Sequence, residues 1–146
     1  MAGFLPDTSC MIAAVCGWHE SHSQAAAEIQ RQMDRRQRMI VAAPALVETY
    51  SVLTRLPPPH RLSTQDALAL LEANFMKTAK IVALDYESYC SLIKQAPGSA
   101  ITGGQIYDAV IATCALKAGA STLLTFNPTD FSFAQEQIDI LVPGSI

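Results

Sequence analysis

Apolar positions along this chain fall into two kinds of run. Five are short and continuous: GFLP (3–6), MIVAA (39–43), KIVAL (80–84), STLLTF (121–126) and IDILV (138–142). Runs of that length suit strands, and MIVAA, unbroken by polar residues, suits a strand buried on both faces of a sheet. Between them the apolar residues recur at helical spacing. CMIAAV (10–15) predicts a helix stopping near Gly17, with Asp7, Thr8 and Ser9 as cap residues before it. Residues 21–38 predict a second helix, capped by Ser21 or Ser23. Pro44 suits the first turn of a third, which carries ALVETYSVLTRL and ends at the prolines 57–59. Further helices are expected from Ser63 or Thr64 to about Met76, over 85–96 before Pro97-Gly98, and over 106–119, stopped by Gly119.

Strands alternating with helices predict an α/β fold: a central, mostly parallel sheet of about five strands with helices on both faces. No repeat, linker or low-complexity tract interrupts residues 1–146, so a single domain is expected. The 146 residues are half apolar and 16 % charged, enough for a real core. The net charge of −3 excludes a strongly basic, free-standing nucleic-acid binder, but not an enzyme that grips nucleic acid locally. No basic leader precedes a long apolar run, and no stretch would span a bilayer. A cytoplasmic location with reduced thiols is therefore the expectation. Cys10, Cys90 and Cys114 read as small core residues. Cys16, His19 and His22 have a metal-like C-x2-H-x2-H spacing, but no downstream pair completes four ligands. A packed cysteine with surface histidines is the better reading.

The acids carry the chemistry. Ligands of open α/β sheets bind at the carboxyl ends of the strands. Asp7 follows the first strand, Glu48 lies in the opening turns of the helix after the second, and Asp130 follows the fourth. Asp108 opens a helix that is apolar on nearly every side, with Ile111, Ala112 and Ala115 on its own face. That helix should run antiparallel to the strand it precedes, so its start also lies at this edge. Four carboxylates without basic partners would repel one another unless a cation sat among them. A hard divalent ion, Mg²⁺ or Mn²⁺, takes oxygen ligands and keeps several waters. Taken singly, three of the acids also have a plain structural reading: Asp7 as a helix cap, Asp130 as a turn residue, Glu48 on a solvated face; Asp108 is the hardest to explain that way.

The stretches PDTS (6–9), APALVETYSVLTRLP (43–57) and GGQIYDAVIATCALKAGASTLLTFNPTDF (103–131), in that order, resemble the PIN-domain ribonucleases, and within them the VapC-type toxins of bacterial toxin–antitoxin pairs. The resemblance covers nearly the whole chain and implies a three-layer α/β/α PIN-like domain. It matches Asp7, Glu48, Asp108 and Asp130 to the family's metal-binding acidic quartet, and Thr8 or Ser9 to the hydroxyl residue after the first acid. Thr125 and Asn127 match the threonine and asparagine of the turn after the fourth strand. It implies Mg²⁺- or Mn²⁺-dependent endonucleolytic cleavage of RNA, often structured RNA such as tRNA. It also implies a homodimer, and a small VapB-type antitoxin whose C-terminal segment blocks the site.

Two positions depart from the family. Pro6 stands where an ordinary apolar residue is usual, and it predicts that the first strand ends a residue early. Asn127 is an aspartate in some PIN nucleases, so its neutral amide implies a weakly held second metal. Arg55, one to two turns beyond Glu48, could face RNA. Arg31, Arg35, Arg36 and Arg38 read better as a solvated helix end. Two other classes compete. A phosphoacceptor receiver domain would want a second acid beside Asp7 and a Lys after the last strand, and an acyl-phosphate phosphatase an Asp where Ser9 stands. A non-catalytic PIN-like binding module would be expected to lose some of the four carboxylates.

Overall fold

The computed structural model describes residues 2–145. Five strands, β1 (Gly3–Pro6), β2 (Arg38–Ala42), β3 (Lys80–Val82), β4 (Ala120–Leu124) and β5 (Asp139–Leu141), form one sheet in the order β3-β2-β1-β4-β5. Every pairing is parallel. Six α-helices connect them among the described residues: α1 (Thr8–Val15), α2 (His22–Asp34), α3 (Ala43–Arg55), α4 (Thr64–Leu71), α5 (Tyr86–Gln95) and α6 (Gln105–Lys117). The expected layered α/β fold with five strands is borne out, and the sheet is parallel throughout.

β1 is the central strand of the five. All four of its residues are buried, and Phe4 and Leu5 are wholly enclosed. Gly3 is required by the neighbouring strand. A Cβ there would stand 2.7 Å from Ile40 Cδ1 and 2.8 Å from the Arg38 carbonyl oxygen. Contrary to expectation, Pro6 does not shorten the strand; it pairs with Leu124 as the last residue of β1. Alternate N–H groups point to opposite sides of a strand. Asp7 N–H donates toward β4, to Leu124 O at 2.9 Å. The N–H that Pro6 lacks would therefore have pointed toward β2, whose pairing with β1 covers Gly3 and Phe4.

The core is continuous across the sheet, joining Phe4, Val41, Leu53, Phe75, Ile111, Leu123, Leu124 and Phe131. The strands at both sheet edges are shorter than their apolar runs suggested, three residues each. The helix beginning at Thr64 keeps its α form to Leu71 and continues as a π turn over Glu72–Met76. After β4 the chain forms a 3-10 helix, Pro128–Ala134, where only a turn was expected. Every residue of α5 is at least partly exposed, so Cys90 is half-buried rather than a core residue. Cys10, Cys16 and Cys114 are buried as expected. His19 Nδ1 accepts the Ser21 N–H at 3.0 Å, and His22 Nδ1 lies 2.9 Å from Ala13 O. The histidines of the C-x2-H-x2-H spacing thus serve their own backbone. Arg31 pairs with the buried Glu28 of its own helix, which Gln32 Nε2 also reaches at 3.0 Å. No helix among the described residues is long and apolar enough to cross a membrane.

Candidate functional site

β1 and β4 are adjacent and parallel, so their carboxyl ends open at the same edge of the sheet. Asp7 stands there, as the N-cap of α1, and is 5 % exposed. Its Oδ1 accepts the Cys10 N–H at 2.9 Å and the Ser9 hydroxyl at 2.6 Å. The capping role is therefore real. Because both bonds fall on Oδ1, lone pairs remain on Oδ2. Ser9 also ties the two strand ends together: its Oγ accepts the Phe126 N–H at 3.2 Å. Thr125, fully buried, accepts the Asn127 N–H at 2.9 Å, and its hydroxyl lends a hydrogen bond to Asp7. Burial lifts the Asp7 carboxyl above its ordinary range, and the bonds from Ser9, Thr125 and Cys10 pull the other way.

Asp108 sits in the first turn of α6 and is half-buried. That helix is sunk in the protein by Ala109, Ile111, Ala112, Cys114 and Ala115, which fixes where its first turn must lie. Its N-cap, Gly104, offers no side chain; the first N–H groups turn back to Thr102, Gly103 and Gly104 carbonyls at 3.1–3.3 Å. The Asp108 carboxyl is pushed up to about 6. Burial is the largest cause, followed by the negative charges of Asp130, Asp7 and Glu48 in that order. Every cause raises it, and no cation offsets them.

Thus all four predicted acids lie within one another's field at Asp108. They do not all share its surroundings. Glu48, in the second turn of α3, and Asp130, in the 3-10 helix, are exposed. Among the described residues, no three His, Cys, Asp or Glu side chains converge closely enough to grip an ion directly. The carboxylates feel one another across space rather than touching. Mg²⁺ is commonly held by one or two carboxylates and several waters, which suits such an open arrangement. The donor set is all hard oxygen. Beside Asp7, the Thr8 hydroxyl oxygen is buried and meets no hydrogen-bond partner among the described residues. Asn127 is exposed at the N-cap of the 3-10 helix, and Arg55 is exposed at the end of α3. Residue-type reasoning found the acids; the bridging roles of Ser9 and Thr125 depend on two strands 117 residues apart in sequence.

The PIN domain profile matches residues 4–134 of this chain. Ribonuclease VapC40 of Mycobacterium tuberculosis is 42 % identical over 118 residues, covering 81 % of this chain and 82 % of that protein. Ribonuclease VapC27 of the same organism is 34 % identical over 109 residues, 75 % of this chain and 74 % of that one. The crystal structure of DNA-bound VapBC from Salmonella typhimurium contains a chain that superposes with a TM-score of 0.67 at 19 % identity, covering 97 % of this chain and 98 % of the other. The acidic edge of a parallel five-stranded sheet and the similarity along four-fifths of the sequence lead to the same place: the chain belongs to the PIN-domain family, among its VapC-type ribonucleases.

Proposed function

We propose that this protein is a metal-dependent endoribonuclease, the toxin of a type II toxin–antitoxin pair, acting at the edge marked by Asp7, Glu48, Asp108 and Asp130. The observation that carries the site is the Asp108 carboxyl, raised to about 6 by burial and by three other acids with no cation opposing them. Such a group is a costly structural ornament and a natural partner for a divalent ion. Asp7 and Asp108 would hold Mg²⁺ or Mn²⁺ most closely, with Glu48 and Asp130 completing the negative surround. When bound, the ion supplies Lewis-acid stabilisation of a phosphodiester and a more acidic water.

The chain's own residues do the positioning. Ser9 and Thr125 fix the Asp7 carboxylate and favour its ionised form. The buried face of α6 fixes Asp108. The exposed carboxylates of Glu48 and Asp130 are reachable by water and can accept a proton from it. Thr8 brings a free hydroxyl oxygen to the side of Asp7. Asn127, neutral where some family members carry an acid, adds no fifth charge, which favours one firmly held ion over two. Arg55, exposed beyond Glu48, would meet RNA phosphates.

The relatives support the remaining roles. VapC40 and VapC27 are named ribonucleases, and VapBC of Salmonella typhimurium was crystallised on DNA. We take RNA, with tRNA one class to test, as substrate, a VapB-type antitoxin as inhibitor, a homodimer as the working form, the cytoplasm as location and one domain as the unit. The test is to incubate purified protein with total RNA, with Mn²⁺, with Mg²⁺ or with EDTA, and to map new ends. Discrete ends that vanish in EDTA and in Asp108→Asn protein are expected. Ends that persist at full yield in the Asp108→Asn protein would place the chemistry elsewhere.

A further inference from the structure

Trp18, the sole tryptophan of the chain, stands in the turn between α1 and α2 and is 48 % exposed. Its indole stacks on His60, from the turn between α3 and α4, with ring centroids 4.1 Å apart and planes 20° apart. His19 adds a third ring, tilted by 42° at 5.8 Å. The rings stand on built turns. His19 N–H bonds Cys16 O at 2.9 Å, His60 N–H bonds Pro57 O at 3.0 Å, and Leu62 N–H returns to Leu53 O at 3.1 Å. The Arg61 Nε holds the Leu56 carbonyl at 2.8 Å, which keeps an exposed guanidinium on the same turn as His60. Because His19 Nδ1 accepts a backbone N–H, its proton sits on Nε2 and is available as a donor.

The position of this cluster relates it to the acidic edge. α1 begins at Asp7 and α3 has Glu48 in its second turn, and the two helices pack on each other. Both lead away from the acids and end beside the rings. From Asp7 to Cys16 the helical rise is roughly 13 Å. A single strand touching both places would have to run over several nucleotides. A flat exposed ring near a cation is what a single-stranded nucleic acid uses for grip, since every base has a π-face.

We propose that Trp18, backed by His60, is a base-stacking subsite for single-stranded RNA, with Arg61 and His19 meeting the adjoining phosphate. This rests on the reading of the protein as a ribonuclease. The lone tryptophan provides the reporter. Labelled oligoadenylate is titrated into the protein in EDTA, following both its anisotropy and the indole emission. Binding should quench the emission saturably at the concentration where anisotropy rises, whereas inorganic polyphosphate, a base-free polyanion, should not quench. Trp18→Ala should weaken binding by about tenfold and Trp18→Phe by much less. His60→Ala keeps the reporter and should weaken both binding and quenching. With Mn²⁺ present, the loss in Trp18→Ala should fall on KM. RNA binding that leaves the indole emission unchanged, or equal KM in wild type and Trp18→Ala, overturns the subsite while the nuclease stands. Wild-type protein that cleaves no RNA overturns both.

Discussion

Asp7 and Asp108 are both carboxylates at helix starts, and burial lifts both above the ordinary range, yet they are held in opposite ways. Asp7 is nearly enclosed and receives hydrogen bonds from Ser9, Thr125 and Cys10 that partly offset its burial. Asp108 is more open, and every influence on it is unfavourable to charge. One acid is braced by its own protein; the other waits for something positive. The contrast assigns them different parts. In the proposed function Asp7 would be the fixed point at the junction of β1 and β4, and Asp108 would supply the attraction for a cation.

The strongest way to break that contrast is to remove the unopposed charge. Asp108→Asn should lower RNA cleavage by more than roughly a hundredfold, beyond the usual loss for an outer-shell partner of a metal site. The same variant should melt no lower than wild type without metal, and a few degrees higher if repulsion dominates. Circular dichroism melts and end-mapping on one preparation test both; a cleavage rate within twofold of wild type ends the assignment. Removing the brace comes next. Ser9→Ala takes a donor from Asp7 and an acceptor from Phe126 N–H, which should cost about 1–2 kcal/mol in a denaturant titration. Its cleavage rate should fall by roughly tenfold or more. Undiminished stability would mean that Ser9 does not join the strand ends.

Metal binding sharpens the comparison further. Mn²⁺ or Mg²⁺ should raise the melting temperature of wild type, since an ion that binds only the folded state stabilises it. The rise should be much smaller in Asp7→Asn. Equal shifts in the two proteins would move the ion away from Asp7. The smallest effect is the pH dependence of the metal-free protein. Folding raises the Asp108 carboxyl from 3.8 to about 6, so the folded state holds this proton more tightly than the unfolded chain. Its stabilising contribution is complete below pH 3.8 and is lost as pH rises through about 6. Between pH 5 and 7.5 the metal-free wild type should therefore lose more stability than Asp108→Asn. Parallel curves for the two proteins would show that Asp108 keeps its ordinary acidity.

Much of this was legible in residue order. Continuous apolar runs announced β1 and β2, because strands buried on both faces leave no polar alternation. The acids were legible as types at strand ends, and Asp108 stood out because α6 is apolar around it. What escaped depends on distant partners. Pro6 looked like a strand breaker, but its missing N–H faces β2 where the ladder has already ended. α5 has an apolar stripe and a good cap, Asp85 Oδ1 accepting the Ser88 N–H at 2.8 Å, yet all of it stays partly exposed. Helical periodicity reports that a helix forms, not how deeply it is set. The Trp18–His60 stack joins two turns 42 residues apart, and neither ring draws notice alone.

The central strand has a consequence for synthesis. β1 leaves the ribosome first, but its partner β4 ends at Leu124, and Ser9 reaches Phe126. A nascent chain halted before that point has Asp7 and Glu48 but neither the β4 ladder that seats Asp7 nor the Asp130 carboxylate. Translation must pass Asp130 before the acidic edge exists. If this edge cuts RNA, the polypeptide is harmless to the ribosome making it until β4 and the 3-10 helix have emerged.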